Sequence, residues 1–499
     1  MQLWFCTNGY GLAARWHEPI HLIVVSWTLL FSPSILATAQ NEAPECRSWQ
    51  EHLPVTIRVD VEHDNSMPAE AFSLPEGKRH ELYQPDSTPF ALSAPRLAAD
   101  PSTTWQFLFV PSLNFTSDEG LGGGLTFTFF RKSDAAAQLQ EEFRLRLFMT
   151  SQFSHRHELA WFIRNVANLP LQLQTRVGFF STRSAHFCGL GANVTCNEAE
   201  ALQAYQALSQ ERRAQGLTTP WNQAEFAERY FRRRYFTPYF RLLMQWKAVP
   251  RWPVNMILGW ALAHEQPGSP IEQNPFPNNR YSELFPNGEA GRHSTLRFGV
   301  LFEELELEAW PSEGFRALFL VRAADVWTGS SWNFYGIHAD LAGYFRFPGG
   351  SANVAAIRLL YDEILGDAPS TELSQISGLQ QVSAFGGPQI GRGIRERRFN
   401  GHQKLIQQGE YRVPFATFRI LRHDLGLALV SFYDVAWIQY APARRTDAVS
   451  PVNNGRWLLG LGLGIRFLID RIFLFRLDFA SSPHEQMSPF AYAVMGTPF

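Results

Sequence analysis

The sequence predicts an all-β fold: a closed antiparallel transmembrane β-barrel of about sixteen strands. Three observations lead there. From Trp105 onward, hydropathy alternates with period two in segments of about ten residues, as it does in strands with lipid on one side and a polar lumen on the other. The connections between these segments alternate in length. After residue 39 no stretch offers the roughly twenty consecutive apolar residues that a transmembrane helix needs.

The segments fall near 105–115, 121–131, 141–153, 157–166, 170–182, 229–246, 252–264, 293–304, 314–325, 333–347, 351–365, 404–414, 424–438, 456–470, 472–482 and 489–499. In the third, Phe143, Leu145, Leu147 and Met149 oppose Arg144 and Arg146; in the ninth, Phe315, Phe319 and Val321 oppose Arg316 and Arg322. In the tenth, Ile337, Leu341, Phe345 and Phe347 oppose His338, Asp340, Tyr344 and Arg346. A soluble sandwich alternates too, but its polar faces are lysine-rich, and lysine occurs here only at Lys78, Lys132, Lys247 and Lys404. Connections after even-numbered segments are mostly short, such as Pro348-Gly349-Gly350, and the longest follow odd-numbered ones. Outer-membrane barrels have short periplasmic turns and long outer loops, so this parity places both barrel ends in the periplasm.

Ahead of the barrel, residues 1–39 read as a signal peptide. Arg15 precedes the apolar run Ile20 to Leu30, and Ala37-Thr38-Ala39 has the spacing of a cleavage site. Residues 40–104 are proline-rich and acidic, and read as a periplasmic linker or arm with little structure. Residues 105–499 form the barrel domain. A net charge of -2 gives no electrostatic case for a nucleic-acid partner.

The stretch with the most chemistry is Gly386 to Pro414. A glycine-rich loop carries Arg392, Arg395, Arg397 and Arg398, then runs into an alternating strand in which Glu410 and Arg412 share one face. The next strand, Leu427 to Trp437, holds a single charge, Asp434, which needs a partner in an apolar setting. Arg392, between Gly391 and Gly393, can reach inward and pair with Glu410 and Asp434 together. Arg398 has no assigned partner.

An Arg-Gly followed by an apolar residue, a Glu-Tyr-Arg strand and an aromatic-aromatic-Asp strand together resemble the C-terminal barrel of the outer-membrane protein 85 superfamily, also called the bacterial surface antigen family. The resemblance implies that the sixth outer loop folds into the lumen and locks its tip, Arg392, Gly393 and Ile394, against Glu410 and Asp434. Gly391 before the arginine and Ile394, where an aromatic is common, depart from the usual tip. Family members that handle protein substrates usually carry polypeptide-transport-associated domains before the barrel, and residues 40–104 fit no such module. The C-terminal Phe499 resembles the signal by which outer-membrane barrels are recognised, implying the barrel-assembly machinery as a partner in biogenesis, with outer-membrane lipid around the finished barrel.

Other features are local. Residues 197–226 suggest a helix in the third outer loop. Before it, Cys188 and Cys196 flank Gly189 and Gly191 at a spacing suited to a disulfide; two free thiols, or a bridge from Cys46, are the alternatives. Glu304, Glu306 and Glu308 continue one strand face, so the strand bulges or, as favoured here, projects into the periplasm; adjacent carboxylates as a metal site are a remote alternative. His155 and His157 lie two apart at a hairpin, and read as solvated rather than as ligands. No catalytic motif and no cofactor-binding motif is present, so no enzyme activity is expected. Two function classes remain. One is translocation or membrane insertion of a client protein or lipid; the other is a passive pore or surface antigen.

Overall fold

Residues 105–496 are described by a computed structural model, except 133–138, 167–168, 192–193, 195, 219–221, 248–251, 269–278, 286–287, 306–309, 348–351, 380, 421–422, 441–454 and 470–472. The signal-peptide and arm assignments, and Phe499, lie outside the described residues. The first strands are β1 (Gln106–Thr116), β2 (Gly120–Lys132), β3 (Leu139–Thr150), β4 (His155–Arg164) and β5 (Leu171–His186). A third outer loop with helices α1 (Glu198–Ala214) and α2 (Gln223–Tyr230) leads to β6 (Arg232–Trp246) and β7 (Val254–Gly268). After α3 (Arg280–Leu284) come β8 (Gly291–Leu305), β9 (Gly314–Ala324), β10 (Asn333–Arg346) and β11 (Val354–Asp367). The sixth outer loop holds α4 (Ser370–Leu373) and a two-stranded sheet, β12 (Gln375–Ser377) with β13 (Gln381–Ser383). The wall then resumes with β14 (Gln403–Ile420), β15 (His423–Gln439), β16 (Arg456–Ile469), β17 (Phe473–Ser481) and β18 (Phe490–Met495).

Apart from β12 and β13, every strand pairs antiparallel with its neighbours, and β1 meets β18 to close one barrel of sixteen strands. Lipid on one side and a filled lumen on the other account for the alternation. Phe143, Leu145, Leu147 and Met149 are exposed on the outer face of β3, whereas Arg144, Phe148 and Thr150 between them are buried inside. This is an outer-membrane barrel. Among the described residues no helix is long and apolar enough to cross a membrane.

The structure alters one boundary. β14 runs six residues past the expected end at Pro414, because the register shifts between Pro414 and Ala416 and this bulge absorbs the residue that cannot donate to the ladder. Glu304 lies in β8, while the projection expected through Glu306 and Glu308 falls outside the described residues; beyond it Trp310, Pro311 and Ser312 are buried. His155 and His157 stack side by side on β4, 5.9 Å between centroids, and no group of three metal-binding side chains is present among the described residues.

A closed sheet has no free edge and gives up its backbone hydrogen bonds only all together. Unboiled and boiled samples of the purified protein are therefore expected to run differently on a denaturing gel. Identical migration would contradict the barrel.

Candidate functional site

The sixth outer loop does not stand above the barrel but fills it. Its apolar residues Ile376, Ala384, Phe385, Ile390, Ile394 and Phe399 are buried in one cluster with Leu360 of β11, Ile406 of β14, Ala436 and Ile438 of β15, and Leu458 of β16. Ile394 is fully buried there, so an aliphatic side chain fills the tip where the family resemblance implied an aromatic.

Arg392 is 0% exposed. Its Nε donates to Asp434 Oδ2 at 3.0 Å, its Nη2 to Asp434 Oδ1 at 2.9 Å, and its Nη1 to Glu410 Oε1 at 2.8 Å. Its own backbone N–H also donates to Asp434 Oδ2, at 2.8 Å. The guanidinium lies 3.6 Å from the Phe432 ring centroid, adding a cation–π contact in a site without water screening. The fork geometry of arginine lets one side chain hold two carboxylates on neighbouring strands. The glycine that follows has a physical reason. Gly393 adopts φ +89°, and a Cβ there would meet the backbone of Ser481 at 2.8 Å. Its N–H donates to the Tyr492 hydroxyl at 3.1 Å.

The carboxylates are shared further. Glu410 Oε2 accepts from Arg412 Nε at 3.0 Å, and Glu410 Oε1 from Arg466 Nη2 at 3.2 Å. Asp478 of β17 accepts from Arg466 and Arg476, and Arg476 Nη2 donates to the Pro388 carbonyl of the loop at 2.5 Å. Three carboxylates thus stand among four buried guanidiniums, and the reading from sequence found only three members of this network.

Two further anchors were not anticipated. Arg322 Nη1 and Nη2 donate to Asp362 at 2.8 and 3.1 Å; Arg322 Nε lies 3.2 Å from Glu372 in α4, and Lys404 Nζ donates to Asp362 at 3.2 Å. Arg233, 0% exposed, stacks over Phe187 and donates to Ser370 Oγ at 2.7 Å. A lone lysine on an inward strand face was the signal available for the first anchor.

At the outer rim the loop touches both strands at the barrel closure. Glu396 N–H donates to Asp118 Oδ2 in the β1–β2 turn at 3.1 Å, and Arg395 N–H donates to Glu485 Oε1 in the β17–β18 loop at 3.3 Å. Arg398, for which no partner was assigned, is paired: it forms an ion pair with Glu485 and donates to the His484 carbonyl at 3.0 Å. Burial pushes the Asp118 carboxyl up to about 7, and burial followed by the Glu119 charge pushes Glu396 up to about 8.

Cys188 and Cys196 form a disulfide with Cα atoms 5.0 Å apart. The segment it closes is tied to the end of the sixth loop: Gly191 N–H donates to the Asn400 carbonyl at 2.9 Å, and Asn400 Nδ2 donates to the Gly189 carbonyl at 2.9 Å. The bridge should contribute roughly 2–3 kcal/mol of local constraint. Mass spectrometry of the non-reduced, protease-digested protein is expected to yield a peptide linking Cys188 to Cys196; a linked Cys46 would contradict this.

Residues 272–488, which span β8 to the last outer loop and include Arg392, Glu410 and Asp434, match the Omp85 superfamily domain. That stretch carries an Omp85 superfamily domain. No curated protein matches the chain. Among solved structures the barrel is similar to BamA from Haemophilus ducreyi lacking POTRA domains 1-3, at 12% identity, covering 79% of this chain and 70% of that one with a TM-score of 0.49. It is also similar to CdiB from Acinetobacter baumannii (10% identity, 79% of this chain and 60% of that one, TM-score 0.43) and CdiB from Escherichia coli (10%, 78% and 62%, 0.46). The chain therefore spans less than two thirds of the length of either CdiB.

Proposed function

We propose that this Omp85 barrel translocates or inserts client molecules, in the first place polypeptides, across or into the outer membrane, and that Arg392, Gly393 and Ile394 lock the sixth loop in the resting state. The supporting observation is the closure between the first and last strands. Among the described residues β1 pairs with β18 at two positions, Phe115 with Ala493 and Thr116 with Tyr492, whereas β1 pairs with β2 at eleven. Ser117 Oγ adds a tie to the backbone of Ala491. A barrel that only conducts solutes gains nothing from one weak seam, since each missing ladder bond forfeits stability. A barrel that must part its wall needs such a place.

The test is a covalent seam. Phe115→Cys with Ala493→Cys, oxidised, is expected to leave a heat-resistant barrel that no longer restores the outer-membrane proteins or lipids lost on depletion. The reduced form should restore them. Full function of the oxidised form, or no change in either class on depletion, would favour a passive pore or surface antigen.

A further inference from the structure

Ahead of β9, on the periplasmic side, residues 310–312 are buried inside the barrel. Trp310 is 4% exposed and belongs to an apolar cluster with Val430 and Phe432 of β15, Leu468 of β16, Leu474 of β17, and Phe490 and Tyr492 of β18. Those strands lie across the lumen from β8 and β9. Polar contacts hold the segment as closely as apolar ones. The Arg412 guanidinium stacks 4.6 Å from the Trp310 ring centroid, and its Nη1 donates to the Pro311 carbonyl at 3.0 Å. Arg346 Nη2 donates to Ser312 Oγ at 2.6 Å.

We propose that this recess is a binding site for an extended polypeptide segment bearing a large aromatic side chain, and that Trp310, Pro311 and Ser312 are its resident occupant. The chemistry of the ligand follows from what the site holds. The apolar wall takes an aromatic ring, Arg412 covers the ring's face, and two guanidiniums take a backbone carbonyl one residue on and a hydroxyl two residues on. An acyl chain would fill the apolar part but offer neither guanidinium the acceptor that Pro311 and Ser312 supply. A visiting segment that offers the same features exchanges with Trp310 for little net change in contacts.

The recess also adjoins the lock. Phe432, in the cluster with Trp310, carries the Arg392 guanidinium, and Tyr492, in the same cluster, accepts from Gly393. The inference rests on the reading above for one point alone, that a polypeptide enters the lumen.

The probe is a fluorescein-labelled peptide with the sequence of residues 308–314, Glu-Ala-Trp-Pro-Ser-Glu-Gly, added to the purified full-length barrel in detergent. Because the resident segment competes, fluorescence anisotropy is expected to show binding at least about tenfold tighter to Trp310→Ala than to the unaltered protein. A peptide with alanine in place of tryptophan should bind neither. Equal affinity for the two proteins, or equal binding of the two peptides, would overturn the proposal. Should Trp310→Ala fail to give a heat-resistant barrel, a photo-crosslinking residue in place of Leu468 serves instead. It is expected to capture the resident segment alone, and the peptide when the peptide is in excess; no peptide adduct would overturn the proposal. Binding is read without transport, so a negative seam experiment and a negative peptide experiment remain distinct.

Discussion

Arg392→Ala is expected to lower the temperature at which the barrel opens more than any other single change in the sixth loop. Removing one partner of a buried ion network costs roughly 3–5 kcal/mol, because the remaining charge stays desolvated. The loss falls unevenly. Glu410 keeps Arg412 and Arg466, whereas Asp434 keeps the Gln408 amide, 3.2 Å away, and the backbone N–H of residue 392. Asp434→Asn in the Arg392→Ala background should therefore recover part of the loss, and Glu410→Gln in that background should not. Arg398→Ala should cost less, because it breaks a pair at the outer rim and leaves the buried network intact. The readout is the temperature at which the fast-migrating band disappears. Equal values for Arg392→Ala, Arg398→Ala and the unaltered protein would sink the lock.

The second large effect concerns conduction. About sixteen strands enclose a lumen wide enough for water, but here the sixth loop packs its own apolar cluster across it. Planar-bilayer recordings of the intact barrel are expected to show small, fluctuating conductance. Replacing residues 386–400 with a short Gly-Ser linker should give larger and steadier steps. The β8–β9 segment would remain under the gap, so adding Trp310→Ala should raise conductance again. A large, steady conductance in the intact protein would count against both constrictions.

The wall of this barrel is readable in the chain because each strand residue has one of two environments, so period-two hydropathy carries its address. That is why all sixteen expected segments coincide with wall strands, to within a few residues at most ends. The Arg392 pairing was readable for a related reason, since a lone carboxylate in an apolar strand asks for a cation and the preceding loop offered one. The contacts of Trp310 with Arg412, of Arg233 with Ser370 and of Arg398 with Glu485 were not readable. They join residues 87 to 137 apart in sequence or run across the lumen, where no periodicity ties one partner to the other. β14 continues past the expected end at Pro414, because a bulge there takes up the residue that cannot donate to the ladder.

The loop's rim contacts carry a thermodynamic consequence. Glu396 is bonded to the turn that follows β1, while Gly393 is bonded to Tyr492 of β18, so one rigid segment grips both lips of the weakest joint in the wall. Any widening between Thr116 and Tyr492 must break one grip or the other, and any withdrawal of the loop must release both. The two events are therefore linked with reciprocal free energy: whatever ligand draws the loop outward makes the wall easier to part by the same factor by which a parted wall makes that ligand bind more tightly.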